Sequence, residues 1–330
     1  MNKEFIIGID VGGTKIAAAI ADNKGNILAN FITPTEAKKG DNVVADKILL
    51  CIKHLLKESG LSVKKLKNIV IGIPGQIDRI KGIILNAPNI AGWKDFNIQK
   101  YLHKEFPKTK ILLENDAHCA TMGEFFYGAG KEFRNMIFLT ISTGIGGGII
   151  LNKKLYSGKH HIAGEIGHMA LNLSSDEDHK CGCGRMGCFE AYASGINMAK
   201  RAQKKLKDLN MIKDDYGGKI LELAEGNLNK ITAVIISQAA SMQDKFACEI
   251  IEENGFYIGI ACVNLINLLD PDAIILGGGV SKIGTILFDS ITKTVHEHVK
   301  MTSKLETQIL PAKTGTDAGI LGALAIGISR

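Results

Sequence analysis

Three of the chain's seven cysteines, Cys181, Cys183 and Cys188, fall within eight positions of the stretch HKCGCGRMGCFE, and His168 precedes them in the block GEIGH. Thiolates and imidazole are donors that zinc accepts, and three sulfurs with one ring nitrogen complete a tetrahedral shell, which makes a closed, structural site. The spacing departs from the common pair of cysteines two residues apart, so on spacing alone a redox pair or a glycine-rich loop stays open. A disulfide knot is disfavoured, because the cysteine count is odd and Asp10, Gly12, Gly13 and Lys15 interrupt any secretory apolar run. Glu165 lies three residues before His168 and Glu190 two after Cys188, so a metal held here would also fix two carboxylates. His160, His161 and His179 read as solvent-facing loop histidines, and Cys51, Cys119, Cys248 and Cys262 as small core residues on helical faces.

Three glycine turns offer a second kind of chemistry. DVGGTK joins two expected strands; Gly12 and Gly13 permit positive φ and close backbone approach to an anion, while Thr14 and Lys15 add a hydroxyl and a positive charge. TISTGIGGG repeats the design with Thr143 and Gly144, and LGGGVS sets Gly277, Gly278 and Gly279 between a strand and an expected helix. Each alone is an ordinary tight turn. Their recurrence, with hydroxyls in two, favours phosphate binding. The chain has no GxxxxGK[ST] loop, and a strand rather than a helix follows GIDVGG, which argues against a P-loop or a single dinucleotide domain. In LLENDAHCA, residues Glu114, Asn115 and Asp116 end a strand just before a helix. Asp116 there serves either as a helix N-cap or as a catalytic carboxylate.

These residues need a frame. A chain of 330 residues with 45% hydrophobic content can bury one large or two ordinary cores. The formal charge of +6 comes from lysines on helix-like segments such as KKLKN and KRAQKKLKD, without interleaved aromatics. They read as solvated faces, so no nucleic-acid partner is expected. No run approaches a membrane span, and the expectation is a cytoplasmic protein with no membrane partner. FIIGIDV, KIAAAIAD and ILANFIT form an antiparallel meander broken at GGT and NKGN. A helix over Asp41 to Glu58, the strand NIVIGIPG, a helix around IQKYLHKEF and the strand KILLEND follow, an alternation that marks an α/β unit. After Asp116 the plan repeats through NMIFLTIS, GGGIIL, helices from about Glu190 to Ala239, a long helix and the strand DAIILGGG. The repeat sets a divide near residue 115.

IGIDVGGTK, ENDA, STGIGGG, GEIGH with CGCGRMGCFE, and ILGGG stand in an order that resembles the ROK family of sugar kinases and repressors, over residues 5 to 328. The joint histidine and cysteine signature is the most specific part. The resemblance implies two actin-like, ribonuclease H-like α/β domains with an active-site cleft between them, and a homodimer or higher oligomer. The first domain spans 1–115, completed by a C-terminal helix over 316–330, and the second spans 116–315. His168, Cys181, Cys183 and Cys188 are implied as ligands of a structural zinc ion. Asp116 is implied as the general base that takes the proton of a sugar hydroxyl attacking the γ-phosphoryl group. Asn115, Glu165, His168 and Glu190 are implied to meet sugar hydroxyls together with Asp116, and Gly75 and Asn89 lie in loops that vary among members. ATP would be held by Asp10, Gly12, Gly13, Thr14, Lys15, Thr143, Gly144, Gly277, Gly278 and Gly279, with Asp10 assisting a Mg2+ ion. Trp93, the only tryptophan, either floors the sugar site or packs a loop base. The implied activity is ATP-dependent phosphorylation of a hexose at its 6-hydroxyl, with glucose expected. The alternatives are N-acetylmannosamine or another hexose, and a regulator that binds sugar without phosphorylating it. Family repressors carry an added N-terminal helix-turn-helix domain, for which the position of DVGGTK leaves no room, so a kinase is expected.

Overall fold

The computed structural model of the chain describes residues 4–87, 89–172, 179–208, 213–302 and 306–330. Two compact units emerge, Met1–Glu132 with Lys313–Arg330, and Phe133–Ala312. No helix among the described residues is long and apolar enough to cross a membrane.

The first unit opens with β1 (Phe5–Val11), β2 (Lys15–Asp22) and β3 (Ile27–Pro34), paired antiparallel. The second turn closes on Asp22, whose Oδ1 accepts the N–H groups of Lys24 and Asn26 at 2.9 and 3.0 Å while Gly25 takes φ +87°. Helix α1 (Asp41–Ser59) buries Val44, Ala45, Ile48, Cys51, Ile52 and Leu55 along one face and ends on Gly60 at φ 65°. Then come β4 (Leu66–Ile73), the short strands β5 (Gln76–Asp78), β6 (Ile83–Asn86) and β7 (Lys94–Phe96), helix α2 (Ile98–His103), β8 (Lys110–Asn115) and α3 (Asp116–Tyr127). The main sheet runs β3-β2-β1-β4-β8, with β1, β4 and β8 parallel, and β5-β6-β7 form a small separate sheet.

The second unit repeats this plan. It contains β9 (Met136–Ile141), β10 (Ile145–Leu151), β11 (Lys154–Tyr156), helices α4 (Phe189–Ala193), α5 (Gly195–Asp208), α6 (Gly218–Leu223), α7 (Ala233–Ser241) and α8 (Lys245–Leu269), then β12 (Ala273–Gly277), α9 (Thr285–His298) and β13 (Gln308–Pro311). Its sheet order, β11-β10-β9-β12-β13, matches the first strand for strand, with the meander antiparallel and β9, β12 and β13 parallel. The α/β class with a duplicated meander, read from the alternation of elements, is what the chain adopts.

The last helix, α10 (Ala318–Ser329), belongs to the first unit and crosses α3 at backbone distance. A Cβ on Gly123 would fall 2.2 Å from the carbonyl oxygen of Ala318, and one on Gly322 would fall 1.6 Å from that of Cys119. Only glycine permits this crossing. The divide set at residue 115 from the repeated pattern falls before α3, whereas the packing of α3 on α10 holds α3 in the first unit. Buried Glu124 of α3 accepts the backbone N–H groups of Ala129, Lys313 and Thr314 at 2.9, 3.0 and 2.7 Å, which ties α3 to the segment that leads into α10.

Candidate active site

Along β1 the side chains alternate, so Ile7, Ile9 and Val11 enter the core that α1 covers, while Ile6 and Gly8 face α10. Asp10 falls on the same side as Ile6 and Gly8. A Cβ on Gly319, in the first turn of α10, would sit 2.5 Å from the Asp10 carboxylate, so glycine there leaves the room the carboxylate occupies. The adjoining turn is held by Gly12 N–H donating to Lys15 O at 2.9 Å and by the buried Thr35 hydroxyl donating to Gly12 O at 2.6 Å. Neither Gly12 nor Gly13 adopts a positive φ, contrary to the reason given for them from sequence. A Cβ on Gly12 would crowd Lys15 O at 3.1 Å; exposed Thr14 and Lys15 complete the turn. Exposed Asn89 faces the same turn, its Cβ 3.8 Å from where a Gly13 side chain would begin.

The start of α3 answers the question that Asp116 posed. The N-cap is Asn115, whose Oδ1 accepts the N–H groups of Ala117 and His118 at 2.9 and 3.2 Å. Asp116 is the first helical residue, half-buried, and one of its oxygens accepts the N–H of Ala117 at 2.8 Å. Asn115 Nδ2 donates to Gly75 O at 3.5 Å; Gly75 itself takes φ +103°, and a Cβ there would fall 2.3 Å from the Asn86 carbonyl oxygen. Gly75, Asn115 and Asp116 are thereby brought together. Trp93 is buried, donates Nε1–H to Asp41 O at 3.2 Å and stacks on Phe96, so it packs a loop base.

Burial, and next the charge of Asp116, push the Asp10 carboxyl up from the ordinary 3.8 to about 6, against a lesser opposing pull from Lys15. Between pH 3.8 and about pH 6 the native state therefore binds more protons than the unfolded chain, and stability falls as pH rises through that window. The expected result is that Asp10→Asn, free of nucleotide, is more stable than wild type at pH 7 by about 1–3 kcal/mol, the gap closing toward pH 4. Equal urea midpoints at pH 7 would refute it.

In the second unit, β9 and β10 join through Ser142, Thr143 and Gly144. Ser142 N–H donates to Gly144 O at 2.8 Å, and Gly195 N–H donates to Ser142 O at 2.7 Å. A Cβ on Gly144 would fall 2.6 Å from Glu190 Oε2, and that oxygen accepts Ile145 N–H at 2.8 Å. Glu190 is thus braced against the glycine turn. Gly278 takes φ +86° beside the Ile141 carbonyl, and Gly277 abuts the Phe138 ring. A Cβ on exposed Gly279 would meet only Ser142 Oγ, at 3.8 Å, so the two glycine loops of this unit lie side by side. After Gly279 comes a short 3-10 turn, Val280–Ile283, and α9 begins only at Thr285.

Beside these loops opens a cavity of about 770 Å3, lined by Thr143, Ile196, Ala199, Val234, Gly279 and Val280 among others. Its size and apolar walls suit a nucleobase or similar flat ring. Sequence reasoning missed it. Ile196 and Val234 are exposed apolar residues on α5 and α7, and a helical pattern assigns such positions to the core.

Glu165 is exposed and precedes a 3-10 turn, Ile166–His168, in which Gly167 packs against the Ile145 carbonyl. The turn brings His168 Nδ1 to 3.5 Å from Cys181 Sγ; the sulfurs of Cys183 and Cys188 are 3.7 Å apart, and all four donors lie within 4.8 Å of one another. Zn–S bonds of about 2.3 Å and a Zn–N bond of about 2.0 Å at tetrahedral angles require S···S near 3.8 Å and S···N near 3.5 Å. The donor set fits zinc. Burial pushes the Cys181 thiol up to about 12, while the backbone N–H of Arg185 pulls exposed Cys183 down. Glu190 Oε1 lies 3.6 Å from Cys181 Sγ, so one carboxylate joins the cysteine loop to the glycine turn. Of the other histidines, His160 is exposed, His179 stacks on Tyr192 at 3.9 Å, and half-buried His161 takes φ 59° with no partner for Nδ1 among the described residues. Cys51, Cys119 and Cys262 are core residues and Cys248 is half-buried.

A duplicated actin-like fold with glycine turns, a strand-end aspartate and a three-cysteine, one-histidine cluster defines a class, and the chain belongs to the ROK family, which matches residues 6–329. It is 33% identical to a glucokinase of Halalkalibacterium halodurans, across 98% of this chain and 94% of that protein. A ROK family glucokinase of Streptomyces griseus, solved in complex with glucose and AMPPNP, superposes with a TM-score of 0.80 at 31% identity, covering 99% of this chain and 100% of that one. A xylose repressor of Bacillus spizizenii is 30% identical over 99% of this chain and 77% of the repressor.

Proposed function

We propose that the chain is an ATP-dependent hexokinase that transfers the γ-phosphoryl group of ATP to the 6-hydroxyl of glucose. The observation that carries this reading is the division of labour at the start of α3, where Asn115 caps the helix and leaves Asp116 for chemistry. Asp116 accepts the proton of the attacking sugar hydroxyl, so that the oxygen reaches phosphorus as a nucleophile. Asn115, Glu165, His168 and Glu190 satisfy sugar hydroxyls, with Gly75 and Asn89 from neighbouring loops. The turns at Gly12–Lys15, Thr143–Gly144 and Gly277–Gly279 present N–H groups and hydroxyls to the phosphates, and the apolar cavity beside Thr143 receives the base. Crowded Asp10 and Asp116 carboxylates are hard oxygen donors suited to magnesium, and Asp10 would hold it. Bound there, the ion neutralises phosphate charge. A zinc ion on His168, Cys181, Cys183 and Cys188 fixes the loop that carries Glu165 and Glu190. A homodimer is a separate proposal, read by mass in solution.

A panel of free sugars, assayed for ADP release, tests the substrate. Glucose is expected to give the highest kcat/KM, with analogues that lack a hydroxyl partner disfavoured by up to about 10⁴. A higher kcat/KM for N-acetylmannosamine would overturn glucose as the substrate and leave the phosphoryl transfer in place. ADP release at the same rate without sugar would overturn the kinase reading itself.

A further inference from the structure

Beneath the Asn115–Asp116 peptide lies a buried charged group that no sugar or nucleotide role explains. Glu114 is 1% exposed, and one oxygen of its carboxylate takes contacts from three directions. It accepts the N–H of Asn115 at 2.9 Å, pairs with the guanidinium of Arg79, and meets His118 Nδ1 at 3.0 Å. Arg79 and His118 are themselves buried, with 7% and 3% of their side chains exposed, and the guanidinium lies 2.7 Å from the same ring nitrogen. Burial lowers the Arg79 pKa and the Glu114 charge opposes that shift, so the guanidinium stays charged.

Such a group is a poor device for stability alone. Taking two ions out of water costs as much as their attraction returns, and apolar residues of the same volume would fill the space as well. What apolar residues could not supply is direction. Arg79 follows β5 and so belongs to the segment that begins at Gly75; Glu114 is the last residue but one of β8; His118 lies in the first turn of α3. The three side chains therefore tie together the three pieces of chain that carry Gly75, Asn115 and Asp116. Asn115 is gripped at every polar atom of its side chain and at its N–H, by Glu114, by the Ala117 and His118 amides and by the Gly75 carbonyl. The φ and ψ angles that aim Asp116 are set by that grip.

We propose that Arg79, Glu114 and His118 act as one positioning group that fixes the Asn115–Asp116 peptide and so aims the base at the sugar hydroxyl. The assignment rests on the reading of Asp116 as the base. The group acts through Asp116 and touches no substrate.

The test compares Arg79→Gln, Glu114→Gln and the double variant, with melting temperature, kcat and the KM for glucose measured on each. Each single variant strands one buried charge and is expected to lose stability. The double variant leaves two amides and no charge, so its melting temperature is expected to recover. Its kcat is nonetheless expected to stay about tenfold to 100-fold below wild type with the glucose KM within about threefold, because a displaced base costs turnover rather than ground-state binding. A double variant with wild-type kcat, or one whose loss lies wholly in KM, overturns the proposal. If the double variant does not fold, His118→Asn and His118→Ala take its place. The asparagine amide keeps a polar group near the position of Nδ1 that can meet either Arg79 or Glu114, so it is expected to retain kcat where alanine lowers it. Equal kcat in the two overturns the proposal. Failure of the underlying reading is seen separately, as Asp116→Asn retaining turnover.

Discussion

Asp116→Asn is expected to bind glucose with little change in KM and to lose about 10² to 10⁴ in kcat, the usual cost of a missing general base. The amide matches the carboxylate in size and still accepts a hydrogen bond, yet it cannot take a proton. The fold should tolerate the change. Helix α3 keeps its cap because the capping atom is Oδ1 of Asn115, and the bond of Asp116 to the Ala117 amide is local to its own helix. Removing one of two crowded carboxylates also relieves Asp10, whose proton affinity Asp116 raises. The variant should therefore be at least as stable as wild type above pH 6, so that a loss of turnover cannot be charged to unfolding. Retention of more than about a tenth of kcat would show that proton removal by Asp116 does not limit the reaction.

The second large effect concerns the cysteine cluster. Protein prepared without chelator is expected to carry one zinc per chain, and Cys183→Ser is expected to lose the metal, melt lower and raise the glucose KM by about tenfold or more. The path of the effect is legible in two distances. Glu190 reaches Cys181 Sγ at 3.6 Å with one oxygen and the Ile145 N–H at 2.8 Å with the other. A slackened cysteine loop therefore releases the brace on the Thr143–Gly144 turn as well, and the ATP KM should rise with the glucose KM. Elemental analysis with no zinc, together with unchanged kinetics in Cys183→Ser, would sink the claim.

How far the chain could be read in advance follows from the range of each interaction. The meander, its repeat in the second half and the long helix before DAIILGGG were legible, because hydrophobic period and turn residues are local signals. The small β5-β6-β7 sheet was not. Its strands are three or four residues long, and QID and KDF carry no alternation that could announce them. The placement of α3 depends on contacts between Gly123 and Ala318 and between Cys119 and Gly322, pairs close to 200 residues apart. Local pattern carries nothing of that kind. The same limit hid the Arg79 contact with Glu114 and the cavity lined by α5 and α7. Asp116 was singled out by its motif, but which residue caps α3 was decided by one rotamer of Asn115.

The return of α10 to the first unit bears on the order in which a newly made chain can fold. The sheet of the first unit emerges first from the ribosome, but the part of one face over β1 and β2 stays uncovered until Ile320 and Leu324 arrive to meet Ile6, Ala17 and Ala19. All of Phe133–Ala312 is made in the interval. The second unit is continuous and holds its own core, so it can close while its elder neighbour waits. During that wait the exposed face of β1 and β2 is the surface a chaperone or an aggregating neighbour would meet. Slowing translation over Phe133–Ala312 therefore prolongs the hazard for the unit that was begun first.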